Sequence, residues 1–497
     1  MADTLITALA AQADASPDAS WLTDGQMAWS ASRVMTESRA LAGRLKDSRV
    51  VAVLADNSPA WVVADLAAQM AGKPHLPLPA FFSAGQLAHV LDQSGADMVL
   101  TDQPERIGAL EAGFAITGTW QHLTMLRRVC DGSMLPADTG KISFTSGSTG
   151  TPKGVCLSLA GLLATARALD ERLGDLPIRR HLAVLPLSLL LENVAGVYAP
   201  LLRGATVHLP PLQQLGWQGM AGFNPRLLQA AVAGTAPHSL ILVPELLKAW
   251  STLLSLSGQG APEGLSYVAV GGARVDSGLL AQARSLGIPA YQGYGLTECG
   301  SVVSLNRPGD DGDGVGRPLG HAAIQVHDGE VQITTRAFLG YLGNQAEGPP
   351  PAGSPLATGD LGSLNDQGHL HLQGRRKHLI INAFGRNISP EWVESALLAQ
   401  PAIAQALVAG EAQPHLAALL VPAPGTGDAA LAAAVEQANA GLPDYARVAR
   451  WQQVAPFRPE NGQATGNGRP VRQAIHAAHA QLLQQLFTET EPLHALL

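Results

Sequence analysis

The sequence predicts an α/β protein in two parts. A large N-terminal domain, residues 1–376, combines two α/β subdomains with a small β-barrel, and residues 377–497 form a small α+β C-terminal domain. Three observations carry this reading. Through Val270, continuous apolar runs of strand length alternate with helical stretches, the pattern of a parallel sheet covered by helices. From Gly314 to Gly374, short alternating segments split by turn residues fit an antiparallel barrel or sheet. At Arg375-Arg376-Lys377 the texture changes again, which sets the domain junction there.

The elements follow in order. Arg49-Val50-Val51-Ala52-Val53-Leu54 is a buried strand, ended by Asp56-Asn57-Ser58-Pro59. Ser58 caps and Pro59 opens a helix through Trp61 to Met70. A cap oxygen accepts one of the unpaired first-turn amides, and proline lacks an amide that would go unbonded there. His75-Leu76-Pro77-Leu78, a helix from about Ser83 to Ser94, and Asp97-Met98-Val99-Leu100-Thr101 repeat the theme. Apolar runs at Ala183 to Leu187, Leu240 to Val243 and Tyr267 to Val270 give the second subdomain its strands. Ala323-Ile324-Gln325-Val326 and Glu330-Val331-Gln332-Ile333 alternate as antiparallel strands do. Beyond the junction, Leu379-Ile380-Ile381 precedes a helix opening at Ser389-Pro390-Glu391, and the Ala-rich stretch from Asp428 to Ala440 is a helix.

Composition bounds the function. Of 497 residues, 46% are hydrophobic and 14% charged, enough apolar matter for a large core. The net charge of -8 gives no basic field for nucleic acid, and no basic cluster flanks an amphipathic stretch as at a membrane surface. Cys130, Cys156 and Cys299 are far apart with no CxxC spacing, so reduced thiols are expected rather than a disulfide framework or zinc site. No leader pattern opens the chain and no apolar run is long enough to span a bilayer, so a cytoplasmic protein is expected.

The strongest chemical signal is Ile142-Ser143-Phe144-Thr145-Ser146-Gly147-Ser148-Thr149-Gly150-Thr151-Pro152-Lys153-Gly154. A strand enters a loop crowded with hydroxyls and glycines and ends at a lysine. Glycines allow close backbone approach, amides and hydroxyls donate to phosphate oxygens, and Lys153 adds positive charge. It is not a Walker loop: Pro152 stands where a glycine is required, and no Ser or Thr follows Lys153.

This loop, together with Gly271-Gly272-Ala273, Tyr294-Gly295-Leu296-Thr297-Glu298, Thr358-Gly359-Asp360 and Gly374-Arg375, closely resembles the ANL superfamily of adenylate-forming enzymes. The resemblance spans essentially the whole chain and is most like the long-chain acyl-CoA synthetases. It implies ATP and Mg²⁺ as cofactors, and CoA or a carrier-protein phosphopantetheine as thiol acceptor. It implies that Thr145, Ser146, Gly147, Ser148, Thr149, Gly150 and Lys153 cradle phosphates. Gln292, Gly293, Tyr294 and Gly295, with Gly272 and Ala273, would border the adenine, Tyr294 stacking on it. Thr297 would lie near the α-phosphate and Glu298 would bind magnesium, a hard ion commonly held by one carboxylate plus substrate phosphates. Asp360 would accept both ribose hydroxyls and Arg375 would contact ribose or phosphate. Lys377 would be the hinge of a mobile small domain, one face completing adenylation and another thiol transfer, and Gly385 would border the thiol channel.

Two departures stand out. The family's C-terminal loop carries a lysine that bridges substrate carboxylate and α-phosphate, whereas Arg469 takes its place here and no lysine follows Lys377. Arginine keeps the charge but substitutes a planar fork for a compact ammonium. In Pro186-Leu187-Ser188-Leu189-Leu190-Leu191-Glu192, Leu189 stands where long-chain synthetases often carry histidine, a difference attributed here to packing. Amino-acid-activating relatives place an aspartate near this segment, and none lies between Pro186 and Pro200, although Glu192 is acidic. An uncharged pocket with Gly196, Gly272 and Gly300 near its walls suits a fatty or aromatic acid.

The leading expectation is activation of such an acid to acyl-AMP, with Lys153, Thr297, Glu298 and Arg469 as the catalytic set, followed by transfer to CoA. The alternatives are a ligase that loads a carrier-protein phosphopantetheine and, from another class, a non-catalytic adenylate-binding protein.

Overall fold

A computed structural model of the protein describes residues 3–145, 152–219, 222–312, 314–343, 351, 353–466 and 468–488. Two large mixed sheets dominate the N-terminal part. In the eight-stranded sheet, Val51–Leu54 lies between His75–Pro77 and Met98–Thr101 in parallel register, and Thr139–Thr145 runs parallel beside His75–Pro77. Antiparallel strands finish both edges, Lys153–Ser158 and Phe338–Tyr341 on one side. The nine-stranded sheet sets Arg180–Leu182, Ser239–Leu242, Tyr267–Val270 and Ala290–Leu296 parallel and side by side.

Helix Pro59–Met70 lies between the sheets and is buried from Pro59 through Ala68, as a helix apolar on all sides must be. Ser58 caps it by accepting from the Trp61 amide, and Ser83 does the same for Ala84–Ser94; each such cap contributes about 1 kcal/mol. One polar knot is buried in this interlayer. The Lys141 ammonium donates to Asp65 at 2.9 Å and to Asn193, and the Tyr198 hydroxyl donates to Asp65 at 2.6 Å. Burial would raise the Asp65 carboxyl, yet the charges of Lys141 and His75 hold it well below its usual range. Removing one partner leaves the rest buried and unpaired, which costs about 3–5 kcal/mol.

The Ala183–Leu187 strand does not form; the strand is Arg180–Leu182. The following backbone is taken by side chains instead. Trp217 donates to the Val184 carbonyl, Asn57 bonds the Leu185 carbonyl and the Leu187 amide, and the Leu185 amide donates to Glu192. A π-helical turn, Glu192–Tyr198, continues from it.

The expected barrel is an open four-stranded antiparallel sheet, with Glu330–Thr334 and Leu356–Leu364 central between Ala323–His327 and Leu370–Arg375. The C-terminal part is a three-stranded sheet of Ile403–Ala409, Leu416–Pro422 and Val448–Gln453. Alternation along these strands buries both faces. Helices Pro390–Ala399 and Asp428–Ala440 cover one, and Arg472–Ala478 and Ala480–Thr488 cover the other.

Candidate active site

The site is built where the strand ends of the large part face a loop of the small one. Thr145 and Lys153 lie opposite each other in the antiparallel pair, so strand pairing fixes where the phosphate-loop lysine stands. Ser146, Gly147, Ser148, Thr149 and Gly150 lie outside the described residues. Lys153 is exposed, and its ammonium sits 3.3 Å from the ring centroid of Tyr341, close enough for a cation–π contact.

Strand Ala290–Leu296 turns back through Thr297–Cys299 and Gly300 into Ser301–Leu305. This strand–turn–strand carries Gln292, Gly293, Tyr294, Gly295, Thr297 and Glu298 together. Glycine is required at 295, because an added Cβ would lie 1.8 Å from the Ser301 carbonyl oxygen. Glu298 is thereby presented at the turn, where its Oε1 accepts from the Tyr341 hydroxyl at 2.9 Å. Among the described residues no group of three or more His, Cys, Asp or Glu could hold a metal. Glu298 fits a magnesium ion that takes one carboxylate and substrate phosphates as ligands, a set such an ion favours.

Asp360 and Arg375 face each other directly across the pair Leu356–Leu364 and Leu370–Arg375. Their ion pair measures 2.8 Å, and the Tyr294 hydroxyl donates to the other carboxylate oxygen at 2.6 Å. Burial and the neighbouring Asp360 charge push the Tyr294 phenol far above its ordinary range, so it is a fixed donor. Each Asp360 oxygen keeps a further lone pair, so the carboxylate can still accept from a ligand.

The opposite side comes from the small part. Ala464 and Pro470 bridge a tight hairpin: the Thr465 amide donates to the Arg469 carbonyl at 2.8 Å, and the Arg469 amide to the Thr465 hydroxyl at 3.1 Å. The hairpin delivers Arg469, whose guanidinium donates to the Gly272 carbonyl at 2.7 Å. Gly272 has φ +86 and Ala273 is exposed, so this stretch of backbone stands open to the hairpin. Arg472 anchors the hairpin's far end by donating to Glu394 and, at 3.3 Å, to the Val408 carbonyl. Glu391, near Arg472 at 4.0 Å, also bonds His378 at 2.6 Å beside Lys377. Burial would raise the Glu391 carboxyl, but its His378 bond and the Arg472 charge hold it at about 2. Lys248 of the large part donates to the Ile403 carbonyl of the small part at 2.7 Å.

Other expected residues lie elsewhere. Lys377 sits in the short turn after Leu370–Arg375, and Gly385 in the loop between Ile380–Ile381 and Asn387–Ile388, with φ +72. Gly196 makes room for a buried carboxylate: an added Cβ would meet Glu192 Oε1 at 1.9 Å and His181 Nε2 at 2.8 Å. Gly300 packs against Ala337 and helix Leu159–Arg172. Leu189 packs on the second subdomain's core. The three cysteines are free, and burial pushes Cys156 up to about 11 and Cys299 up to about 12, so both stay thiols near neutrality. Sequence reading missed Tyr341 and Lys248; only strand pairing and domain docking reveal them.

The structure thus carries a lysine at the end of the hydroxyl-rich loop, a turn carboxylate, a paired Asp–Arg and a guanidinium from the small part, each at a position where an adenylate-forming enzyme is expected to hold its site residues. Residues 9–336 match the AMP-binding enzyme family and residues 377–491 the AMP-binding enzyme C-terminal domain, so the chain belongs to the AMP-binding enzymes of the ANL superfamily. It is 30% identical over 292 residues to a 2-succinylbenzoate–CoA ligase of Bacillus velezensis, across 56% of this chain and 57% of that one. It is 26% identical over 526 residues to the long-chain-fatty-acid–CoA ligase FadD15 of Mycobacterium bovis, across 86% of each. In fold it matches the O-succinylbenzoate coenzyme A synthetase of Bacillus subtilis in complex with ATP and magnesium ion. The TM-score is 0.73 at 23% identity, across 94% of this chain and 98% of that one. No helix among the described residues is long and apolar enough to cross a membrane.

Proposed function

We propose that the protein activates a carboxylic acid with ATP and passes the acyl group to CoA. An acid carboxylate oxygen bonds to the α-phosphorus, the bond to the bridging oxygen breaks, and pyrophosphate leaves. The CoA sulfur then bonds to the acyl carbon, AMP departs and the thiol proton is released. The single observation that carries the reading is Arg469, a cation of the small domain seated on the Gly272 carbonyl. The large domain adds groups suited to ATP: Lys153 would meet the phosphates and Asp360 the ribose, with Arg375 and Tyr294 holding that carboxylate. A magnesium ion on Glu298 would neutralise charge on the departing pyrophosphate.

The acid is proposed to have an uncharged tail, fatty by preference and otherwise aryl. Glu192, the acidic group nearest the expected pocket, has both oxygens engaged, with His181 Nε2 at 3.0 Å and the Leu185 amide at 2.9 Å. It is therefore spent on the fold rather than offered to an α-amine. CoA is preferred to a carrier protein because the relatives named above are CoA ligases. We take the domain junction as falling between Arg376 and Lys377, and the setting as cytoplasmic.

The test is incubation of purified protein with ATP, magnesium, CoA and a panel of fatty, aryl and amino acids, followed by mass spectrometry. The expected products are AMP and the thioester of a fatty or aryl acid. AMP and thioester from amino acids alone would overturn the substrate assignment, and thioester on a carrier protein but never on CoA would overturn the acceptor.

A further inference from the structure

We propose that Tyr341 is a positioning residue that sets Glu298 and Lys153 at a fixed separation before nucleotide arrives; this rests on the reading of the site given above. Strand Phe338–Tyr341 pairs antiparallel with Lys153–Ser158, and Tyr341 stands opposite Val155. That register makes it the diagonal neighbour of Lys153, a distance that an aromatic and a long side chain bridge. The Lys153 ammonium accordingly lies over the Tyr341 ring, 3.3 Å from its centroid, while the hydroxyl donates to Glu298 Oε1 at 2.9 Å. Phe338 fixes the ring from the side, edge-on at 68° with centroids 4.9 Å apart.

One side chain thus handles two groups of opposite charge through two different faces. A lysine and a glutamate gathered onto one side chain would gain by pairing directly, and that pair would withdraw both from an incoming phosphate and its metal. Among the described residues Lys153 forms no ion pair; its ammonium meets the ring of Tyr341, while Glu298 meets the hydroxyl of that same side chain. The phenol engages one Glu298 oxygen as a neutral donor, which steers the carboxylate without neutralising it. The cation–π contact holds the ammonium without a hydrogen-bond acceptor to surrender when phosphate replaces it. Tyr341 touches the groups that meet the substrate, and its action is to space and aim them.

The two contacts separate by mutation. Tyr341→Phe keeps the ring and the Lys153 contact but loses the bond to Glu298, whereas Tyr341→Leu loses both. ATP binding is measured by calorimetry with excess EDTA and again with saturating magnesium, alongside the magnesium dependence of acid-dependent pyrophosphate exchange. Tyr341→Phe is expected to bind ATP normally in EDTA, to lose roughly tenfold of the affinity gained with magnesium, and to need correspondingly more magnesium for half-maximal exchange. Tyr341→Leu is expected to weaken ATP binding in EDTA as well. Unchanged magnesium-linked affinity in Tyr341→Phe, with wild-type protein active, overturns the inference. An equal loss with and without magnesium also overturns it, because that is the signature of general loosening. Wild-type protein that neither binds ATP nor exchanges pyrophosphate overturns the functional reading itself, whatever Tyr341 does.

Discussion

On the large-domain side, Asp360, Arg375 and Tyr294 hold one another through side chains, and Tyr341 does the same for Lys153 on the neighbouring strand and Glu298 on a turn. On the small-domain side, Arg469 is held by its backbone hairpin, and its guanidinium reaches across to a carbonyl. The first arrangement contains no residue of the small domain; the second needs that domain against the large one. On the function proposed above, the nucleotide platform is therefore preformed and the last cation is delivered. A missing platform group should harm every step that involves nucleotide, and a missing delivered group only the step that needs docking.

The largest effect should come from the platform. Lys153→Ala should slow acid-dependent pyrophosphate exchange roughly 10²–10³-fold, because it removes a preorganised charge from the transition state. Next comes Arg469→Ala, which should slow exchange about 10²-fold while leaving thioester formation from presynthesised acyl-AMP and CoA near its wild-type rate. An equal loss in both half-reactions would break the comparison, since Arg469 would then belong to the platform. Arg472→Ala, which frees the hairpin's anchor, should cost exchange roughly tenfold through misplacement of Arg469 and be partly rescued by Arg472→Lys.

The smallest effect is one of pH. Burial, only partly offset by the charge of Glu245, pushes the Lys248 ammonium down from 10.5 to about 8 where it donates to the small domain's Ile403 carbonyl. Docking thus favours its neutral form, so docking gains nothing below about 8, strengthens as pH rises from there towards 10.5, and levels off above. The measurement is interdomain distance by fluorescence energy transfer across that window, where Lys248→Met should flatten the rise.

The positions of these residues came from the family resemblance, whereas several of the elements around them were legible in local sequence. Ser58-Pro59 and Ser389-Pro390 mark helix starts that the structure shows, and the pairing that brings Asp360 face to face with Arg375 emerged only in the structure. The failures were non-local. Ala183 to Leu187 is apolar enough for a strand, but Asn57, Glu192 and Trp217 claim its backbone from distant points in the chain. Gly196 looked like pocket lining and instead clears space for Glu192. Tyr341 carries no local mark; its partners lie on another strand and on a turn.

The central claim is tested most directly by acid-dependent ATP–pyrophosphate exchange in the absence of any thiol, comparing wild-type protein with Arg469→Ala. Exchange with a fatty or aryl acid that collapses in the variant, while calorimetric ATP binding stays intact, is the predicted result. ATP binding without exchange by wild-type protein under any acid would contradict it and mark the chain as a non-catalytic adenylate-binding protein.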